Sequence, residues 1–298
     1  MTDTGKSRTW LWVLLGAGIF FIFFFAVVAF MVAIMHGDHV SSFGDKIAVV
    51  DLEGVIIEPQ TVVKQLKEFA DDDSVKAIIL HINTPGGGVA ASQEIYSEVR
   101  RVEKKKKIVA SVETLGASGG YYVAVGTDQI YADPGSIVGS IGVISEWLNY
   151  ADLMRWAKLK DITIKSGAMK DAGNPAREMT PEERAYFQSL SDDMHGQFIA
   201  AVAEGRKLKV EDVKAIADGR VWSGQQALSL HLIDKVGDFE TAVDETAKSV
   251  GIKGEPELVH QEKQRRTLLD VIFGDVSNFV PDQAKVLDNH PGFYYLWK

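Results

Sequence analysis

The sequence predicts an α/β domain with a parallel sheet, preceded by one N-terminal transmembrane helix. From residue 46 onwards, buried-type strands alternate with amphipathic helices, which is typical of a parallel sheet with right-handed crossovers. One long uncharged apolar run comes before them. The 298-residue chain is 24% charged and 46% hydrophobic, which indicates a folded protein rather than a disordered one.

The apolar run from Trp10 to Met35 is predicted to be a retained membrane anchor. Its 26 uncharged residues would span about 39 Å as a helix, more than the roughly 30 Å core of a bilayer. It ends without a convincing small-residue cleavage site. Lys6 and Arg8 precede it, and no lysine or arginine follows until Lys46. This asymmetry predicts a single-pass protein with a cytoplasmic N-terminus and an extracytoplasmic domain.

The pattern after the anchor predicts each element in turn. Up to residue 132, strands are expected at residues 46–57, 75–82, 108–112 and 129–132, and helices at 61–71, 90–105 and 118–125. Residues 135–144 form a glycine-spaced extended segment. A long helix should begin at Pro181, with Thr180 as N-cap and Glu183 closing a capping box, and end near Gly205. Three shorter helices are expected at residues 210–218, 224–230 and 239–250.

The chain is expected to have three parts. Residues 1–45 form the cytoplasmic tip, anchor and linker, residues 46–250 the folded domain, and residues 251–298 a C-terminal extension. In that extension residues 268–273 are amphipathic, and the aromatic tail at residues 291–297 is expected to dock on another surface. One hypothesis places this tail in the peptide groove of a neighbouring protomer.

Charge and cysteine content exclude several functions. The formal net charge is −9, which gives nucleic-acid binding no electrostatic support, so no nucleic-acid partner is expected. The absence of cysteine excludes disulfides, thiolate metal sites and cysteine nucleophiles.

Ser118 is the candidate nucleophile. It lies in Gly116-Ala-Ser-Gly-Gly120, after a β-like run and before an apolar helical run. In this G-x-S-x-G pattern a sharp turn between strand and helix lifts a serine hydroxyl clear of the sheet. The pattern alone also fits a tight turn that needs small residues, but the flanking strand and helix favour a nucleophile.

A glycine loop, Asn83-Thr-Pro-Gly-Gly-Gly88, follows a buried strand and precedes a helix. Glycines let main-chain N–H groups approach a ligand closely, so this loop could bind the oxyanion of a tetrahedral intermediate. The amide of Gly119, directly after the candidate nucleophile, is the natural second donor. A phosphate loop is disfavoured because the required glycine and lysine spacings are absent.

The base that would activate Ser118 remains open on local pattern alone. No histidine outside the anchor has a supporting motif; these are His81, His195, His231, His260 and His290. Lys170 lies in the small-residue segment Ser166-Gly-Ala-Met-Lys-Asp-Ala-Gly173. A lysine can act as a base when burial lowers its pKa from about 10.4 towards neutrality, although an isolated lysine is usually a surface residue.

Six linked motifs, taken together, closely resemble the short form of the bacterial signal peptide peptidase A family. They occur in the family's order and with similar spacing over roughly residues 46–250, and they lie at residues 83–88, 117–122, 139–143, 165–180, 217–227 and 232–237. One departure is Thr84, where the family frequently has serine. The other is the tail after residue 250, which matches nothing.

The resemblance implies a fold, a mechanism and a set of site residues. The fold would be the ClpP/crotonase-like repeated β-β-α superhelix, and the activity that of a serine protease with a Ser-Lys dyad. Ser118 would be the nucleophile and Lys170 the general base. Gly87 and Gly119 would supply the oxyanion-hole amides, and Ser140 would help to hold the lysine. No metal or cofactor would be needed.

The resemblance also implies partners and a location. Family members of this size assemble as rings, in which neighbouring protomers bring serine and lysine together. Their substrates are cleaved signal peptides and similar apolar peptides in or near the lipid bilayer. The expected location is therefore the bacterial inner membrane.

Three alternatives remain. An α/β-hydrolase esterase would use His231 or His260 as base, with a carboxylate such as Asp218. A non-catalytic membrane scaffold would only bind apolar peptides or organise lipids. A crotonase-type acyl-CoA enzyme is weaker still, because an extracytoplasmic domain meets little CoA.

Overall fold

The computed structural model describes residues 45–260 and 293–297, and near the N-terminus residues 14, 18 and 20–27. The chain divides into two compact units, Met1–Phe43 and Gly44–Lys298. The few described residues of the first unit are helical, and most of the predicted anchor lies outside the described part. No helix within that part is long and apolar enough to cross a membrane. Residues 268–273 also lie outside it.

Among the described residues of the second unit, nine strands form one mixed sheet. The strands are β1 (Lys46–Ile56), β2 (Val75–Gly88), β3 (Lys107–Ala117), β4 (Gln129–Ala132), β5 (Ile137–Gly139), β6 (Val221–Ser223), β7 (Lys235–Val236), β8 (Glu257–His260) and β9 (Tyr294–Leu296). The main order is β6-β5-β3-β2-β1-β8, and β4 pairs with β3 and β7 while β9 pairs with β2.

Eight α-helices of the same unit are described, with a 3₁₀ turn at Ala168–Asp171. The helices are α1 (Gln60–Asp71), α2 (Val89–Val102), α3 (Gly119–Ala124), α4 (Ala151–Trp156), α5 (Pro181–Arg206), α6 (Val210–Lys214), α7 (Gly224–Ser229) and α8 (Phe239–Ser249). The predicted capping box of α5 is confirmed, because the Glu183 amide donates to the Thr180 hydroxyl and the Thr180 amide to the Glu183 carboxylate.

The α/β class and the parallel core of the sheet are confirmed. Strands β1, β2, β3 and β4 run parallel, whereas the β5–β6 and β2–β9 pairs are antiparallel and make the sheet mixed. Strand β2 extends to Gly88, six residues beyond its predicted end. The extension pairs with β1 at Val55 and Ile56, so tertiary pairing overrides the low strand propensity of glycine.

Helices bury both faces of the sheet. Leu80 and Ile82 of β2 belong to the larger core, which also holds residues of α1, α2, α3 and α5. On the opposite face, Val243 and Ala247 of α8 cover Ile79. The α3 helix has no exposed residue, and the Tyr121 hydroxyl donates to the Leu232 carbonyl at 2.7 Å. This packing fixes the amino-terminal end of α3, where Ser118 lies.

Two glycines of α5 should respond oppositely to alanine. A Cβ at Gly205 would overlap the carbonyl oxygen of Val125, whereas a Cβ at Gly196 would meet nothing within 4 Å. We expect Gly205→Ala to lower the free energy of unfolding by about 1–3 kcal/mol through overpacking. Gly196→Ala should raise it by about 0.5–1 kcal/mol, because alanine favours helix. Denaturant unfolding followed by tryptophan fluorescence measures both, and equal effects would contradict the packing of α5 against Val125.

Candidate active site

Ser118 occupies a sharp turn between β3 and α3. Its backbone has φ 52° and ψ −115°, a left-handed conformation that non-glycine residues rarely adopt. The turn is held on both sides: the Ser118 amide donates to the Gly139 carbonyl at 2.7 Å, and the Ser118 carbonyl accepts from the Tyr122 amide at 2.8 Å. A strained serine at a strand-to-helix turn is the geometry of a nucleophile elbow.

The glycines after Ser118 are required by the close approach of β2. A Cβ at Gly119 would overlap the Ser92 hydroxyl and lie 3.1 Å from the amide nitrogen of Gly87. The structure therefore brings Gly87 and Gly119 side by side next to Ser118. Only residues without a side chain allow the two backbones to approach so closely.

Thr84 holds the glycine segment in place through hydrogen bonds of its hydroxyl group. It is fully buried, and its hydroxyl donates to the Gly54 carbonyl and accepts from the Gly86 amide at 3.0 Å. Gly86 has φ 97°, which favours glycine. A serine could make the same hydroxyl bonds, so the departure at Thr84 preserves the polar contacts of this turn. Sequence reasoning did not assign Thr84 this role.

Ser140 directly follows the residue that binds the backbone of the elbow. It is buried, has φ 52°, and follows Gly139, whose carbonyl binds the Ser118 amide. The Ser140 amide donates to the Arg220 carbonyl at 2.9 Å. The Gly139–Ser140 segment is thereby fixed between the elbow and the start of β6.

Lys170 is not joined to Ser118 within the single chain. It lies in the exposed 3₁₀ turn Ala168–Asp171, and its side chain is exposed, whereas Ser118 is only 1% exposed. Over residues 45–260 and 293–297, no hydrogen bond or ion pair connects the two side chains. The structure thus brings together Ser118, Gly119 and Gly87 but leaves the predicted base apart.

An ion-pair network fixes the chain next to Lys170. Arg177 donates to Asp171 at 3.1 Å and to Glu183 at 2.9 Å, and Lys165 also binds Asp171. Hydrogen bonds from Lys165 and then Arg177 lower the pKa of Asp171 to about 2. The Arg177 hydrogen bond, followed by the Thr180 amide, lowers the pKa of Glu183 to about 2. The network ties the Lys170 segment to the start of α5.

None of the histidines in the described part of the chain contacts Ser118 as a base would. His81 contacts Asp51 at 3.3 Å and lies against Phe239, and His260 faces the same Asp51 at 3.9 Å. His195 has a buried Nε2 without a partner, and His231 is bonded through its carbonyl to Arg206. No described histidine bonds to Ser118, and His290 lies outside the described residues. Nor do any three potential metal ligands cluster within residues 45–260 and 293–297.

Two family models match the chain. The model of peptidase family S49 matches residues 100–253, just over half of the chain, and that of Clp protease matches residues 50–134. The chain belongs to peptidase family S49. Ser118 lies in both matched ranges. The Clp protease match agrees with the ClpP-like α/β domain that the resemblance implied.

Relatives of this S49 peptidase carry the names of proteases. A Synechocystis protein named as a protease is 42% identical over 209 residues, 70% of this chain and 75% of its own length. An Enterococcus faecium protein named as signal peptide peptidase SppA is 38% identical and is covered over 55% of its length. Protease 4 of Haemophilus influenzae is 31% identical over 35% of its length. The S49 chain is thus an SppA-type serine peptidase.

Adjacent glycines provide a matched test of the site. A Cβ at Gly87 would overlap the Ile56 carbonyl oxygen, whereas the nearest atoms to a Cβ at Gly88 are 3.8 Å away. The substitution Gly87→Ala should therefore displace the Gly87 amide. We expect it to lower kcat about 10²-fold, the typical effect of losing one oxyanion donor. Gly88→Ala should stay within about twofold. Peptide hydrolysis by folded variants, verified by circular dichroism, measures this; equal losses would contradict a special position of Gly87.

The network beside Lys170 should fail in acid. Because the pKa values of Asp171 and Glu183 in the folded state lie below their ordinary 3.8 and 4.5, their stabilisation is present above about pH 4.5 and lost as the pH falls to about 2. We therefore expect Arg177→Gln to lower the melting temperature at pH 6, with the difference from wild type vanishing towards pH 2.

Arg184→Gln is the control for this prediction, because it removes the same charge from an exposed arginine that forms no ion pair within the described range. Its melting temperature should differ little from that of the wild type at any pH. A difference in melting temperature between Arg177→Gln and the wild type that stays constant from pH 6 to pH 2 would contradict the network.

Proposed function

We propose that this protein is a membrane-anchored serine endopeptidase that cleaves remnant signal peptides and similar apolar peptides through a Ser118–Lys170 dyad. The observation that carries the proposal is the strained turn at Ser118 beside the paired backbones of Gly87 and Gly119. These three residues supply a nucleophile and two amides that could stabilise an oxyanion.

The reaction proceeds through an acyl-enzyme. The Ser118 oxygen attacks the peptide carbonyl while Lys170 takes the serine proton, and the oxyanion lies against the amides of Gly87 and Gly119. The carbon–nitrogen bond then breaks, and Lys170 returns the proton to the leaving amine. Water hydrolyses the ester by the same route in reverse. Ser140 helps to hold the lysine in this arrangement.

Lys170 is supplied by a neighbouring protomer in a ring. Exposure of Lys170 and burial of Ser118 in one chain support this arrangement. The segment preceding Lys170 presents large apolar side chains to solvent, among them Trp156 at 82% and Ile164 at 97% exposure. Such a patch is a typical protein interface. A neighbour that covers Lys170 would also desolvate it, and desolvation favours the neutral amine that a base requires.

The anchor and the substrates are proposed together. The apolar run at residues 10–35 would hold the domain at the outer face of the bacterial inner membrane, in single-pass topology. Cleaved signal peptides are apolar and lie in or near that membrane. The name signal peptide peptidase, carried by the Enterococcus relative, supports this substrate class.

Single substitutions test the dyad. Ser118→Ala and Lys170→Ala should each lower the hydrolysis of an apolar signal-like peptide by at least about 10³-fold, because members of a catalytic unit fail together. Lys160→Ala, an exposed lysine of the same segment, should retain activity, as should His231→Ala and His260→Ala. Wild-type turnover by folded Lys170→Ala would contradict the dyad, and loss at either histidine would favour the esterase.

Mixing inactive variants tests the ring. If each site combines Ser118 of one protomer with Lys170 of the next, Ser118→Ala and Lys170→Ala proteins assembled together should regain about a quarter of wild-type activity, since neighbours pair at random in a symmetric ring. Each variant assembled alone is the control. A mixed assembly, verified by differential tagging, that stays inactive would mean that both residues act within one chain.

A further inference from the structure

The turn that carries Lys170 has little internal support. It is the short 3₁₀ turn Ala168–Asp171, and none of its four residues is buried. The Lys170 amide donates to the Gly167 carbonyl at 3.2 Å, and the Ala172 amide donates to the Met169 carbonyl at 3.1 Å. Hydrogen bonds of a 3₁₀ turn have poorer geometry than those of an α-helix. The direction of the lysine side chain therefore depends on contacts from outside the turn.

Arg177 supplies a contact of this kind at the end of the turn. Its Nη2 donates to the main-chain carbonyl of Asp171 at 2.9 Å, and its Nε donates to the carboxylate of the same residue at 3.1 Å. The guanidinium also binds both carboxylate oxygens of Glu183, the third residue of α5, whose side chain is only 4% exposed. One planar fork thus joins the residue after Lys170 to the buried start of a helix.

Helix α5 is a firm support for this contact. Its residues Phe198, Ile199 and Val202 are buried in the larger core, and the capping box with Thr180 fixes its first turn. Close-packed protein interiors have low compressibility, so a helix held in this way has little freedom to shift. Through Arg177, the core of the chain therefore holds the exposed turn.

Both carboxylate oxygens of Asp171 are bound by cations other than Lys170. Arg177 binds Oδ2 and Lys165 binds Oδ1, and Lys165 also donates to the Ala168 carbonyl at 2.8 Å. A free carboxylate beside Lys170 would attract the lysine amine and favour its charged form. Because Arg177 and Lys165 bind this carboxylate, they oppose such pairing and leave the amine available to a partner.

We propose that Arg177 is a positioning residue of the peptidase, which fixes the turn that carries Lys170 and so directs the lysine amine towards Ser118 of a neighbouring protomer. This inference rests on the proposed Ser118–Lys170 dyad and deepens it by naming the residue that orients the base. Arg177 touches no reacting atom in this arrangement and acts through Lys170 alone.

Loss of Arg177 should appear in kcat rather than in KM. Lys170 takes part in the chemical step, and an interaction that matters only there changes kcat. A shift of about 1 Å in a catalytic group can cost about 10²-fold in rate. We therefore expect Arg177→Gln to lower kcat for an apolar signal-like peptide about 10²-fold and to leave KM within about twofold of the wild-type value. The assay uses the full-length protein in detergent, and native mass spectrometry measures the oligomeric state of each variant.

Two controls separate positioning from stability. Thr180→Ala removes the hydroxyl that caps α5 and should lower the melting temperature, but it leaves the contacts of Arg177 in place. Arg184→Gln removes an equal charge from an exposed arginine of the same helix. Both should keep kcat within about twofold of the wild-type value, measured well below the melting temperatures of all variants.

A double-mutant cycle tests whether Arg177 acts through Lys170. The rate at which a fluorophosphonate labels Ser118 is measured by mass spectrometry for the wild type, Arg177→Gln, Lys170→Ala and the double variant. Arg177→Gln should slow the labelling strongly when Lys170 is present and change it less than about twofold in the Lys170→Ala background, because a positioning residue has no effect once the residue that it positions is gone.

A loss of kcat at unchanged KM, together with this non-additive cycle, would support the proposal. Three results would overturn it and leave the dyad intact: a kcat of Arg177→Gln equal to that of either control, the same slowing of labelling in both backgrounds, or a loss of activity accompanied by a change in oligomeric state. If Lys170→Ala is labelled as fast as the wild type, the dyad itself fails, and the positioning role fails with it.

Discussion

The close approach of the glycine end of β2 to the start of α3 is the constraint on which the site depends. A Cβ at Gly86 would lie 2.6 Å from the Gly119 amide nitrogen, and a Cβ at Gly119 would lie 3.1 Å from the Gly87 amide nitrogen. This contact places two main-chain amides next to Ser118, whose φ of 52° is rare for a non-glycine residue. The surrounding core holds the contact, because α3 is wholly buried and β2 runs through the centre of the sheet.

Lys170, the proposed base, lies in a more exposed environment than Ser118 and its neighbouring glycines. Ser118 is buried within one chain, whereas Lys170 lies on a segment whose apolar side chains face solvent. Burying large apolar surface is favourable, and covering Trp156 and Ile164 by a neighbour would contribute to assembly. The ion pairs of Arg177 with Asp171 and Glu183 tie the lysine segment to the start of α5 within the single chain. Assembly and activation would then be one event.

The sequence predicted local features well and non-local ones poorly. The strand at residues 129–132 and the capping box at Thr180 follow from short-range pattern and were predicted to the residue. The extension of β2 to Gly88 was missed, because glycine favours a loop until β1 and β9 pair with it. The tail was expected to dock, and one hypothesis placed it in a neighbour's groove. In the structure its residues 294–296 pair with Gly86–Gly88 of the same chain, a pairing across some two hundred residues that local pattern does not encode.

Local sequence pattern likewise predicted some of the candidate site residues and not others. Ser118 and the glycines form a local motif whose geometry the structure displays, whereas the role of Lys170 rests on family resemblance and on an interface that a single chain lacks. The most direct measurement is covalent trapping: a fluorophosphonate or peptidyl inhibitor is added to the detergent-purified protein, and the modified residue is mapped by mass spectrometry. The account predicts one adduct on Ser118, much slowed in Lys170→Ala. An adduct on another serine, or equal labelling of both proteins, would contradict it.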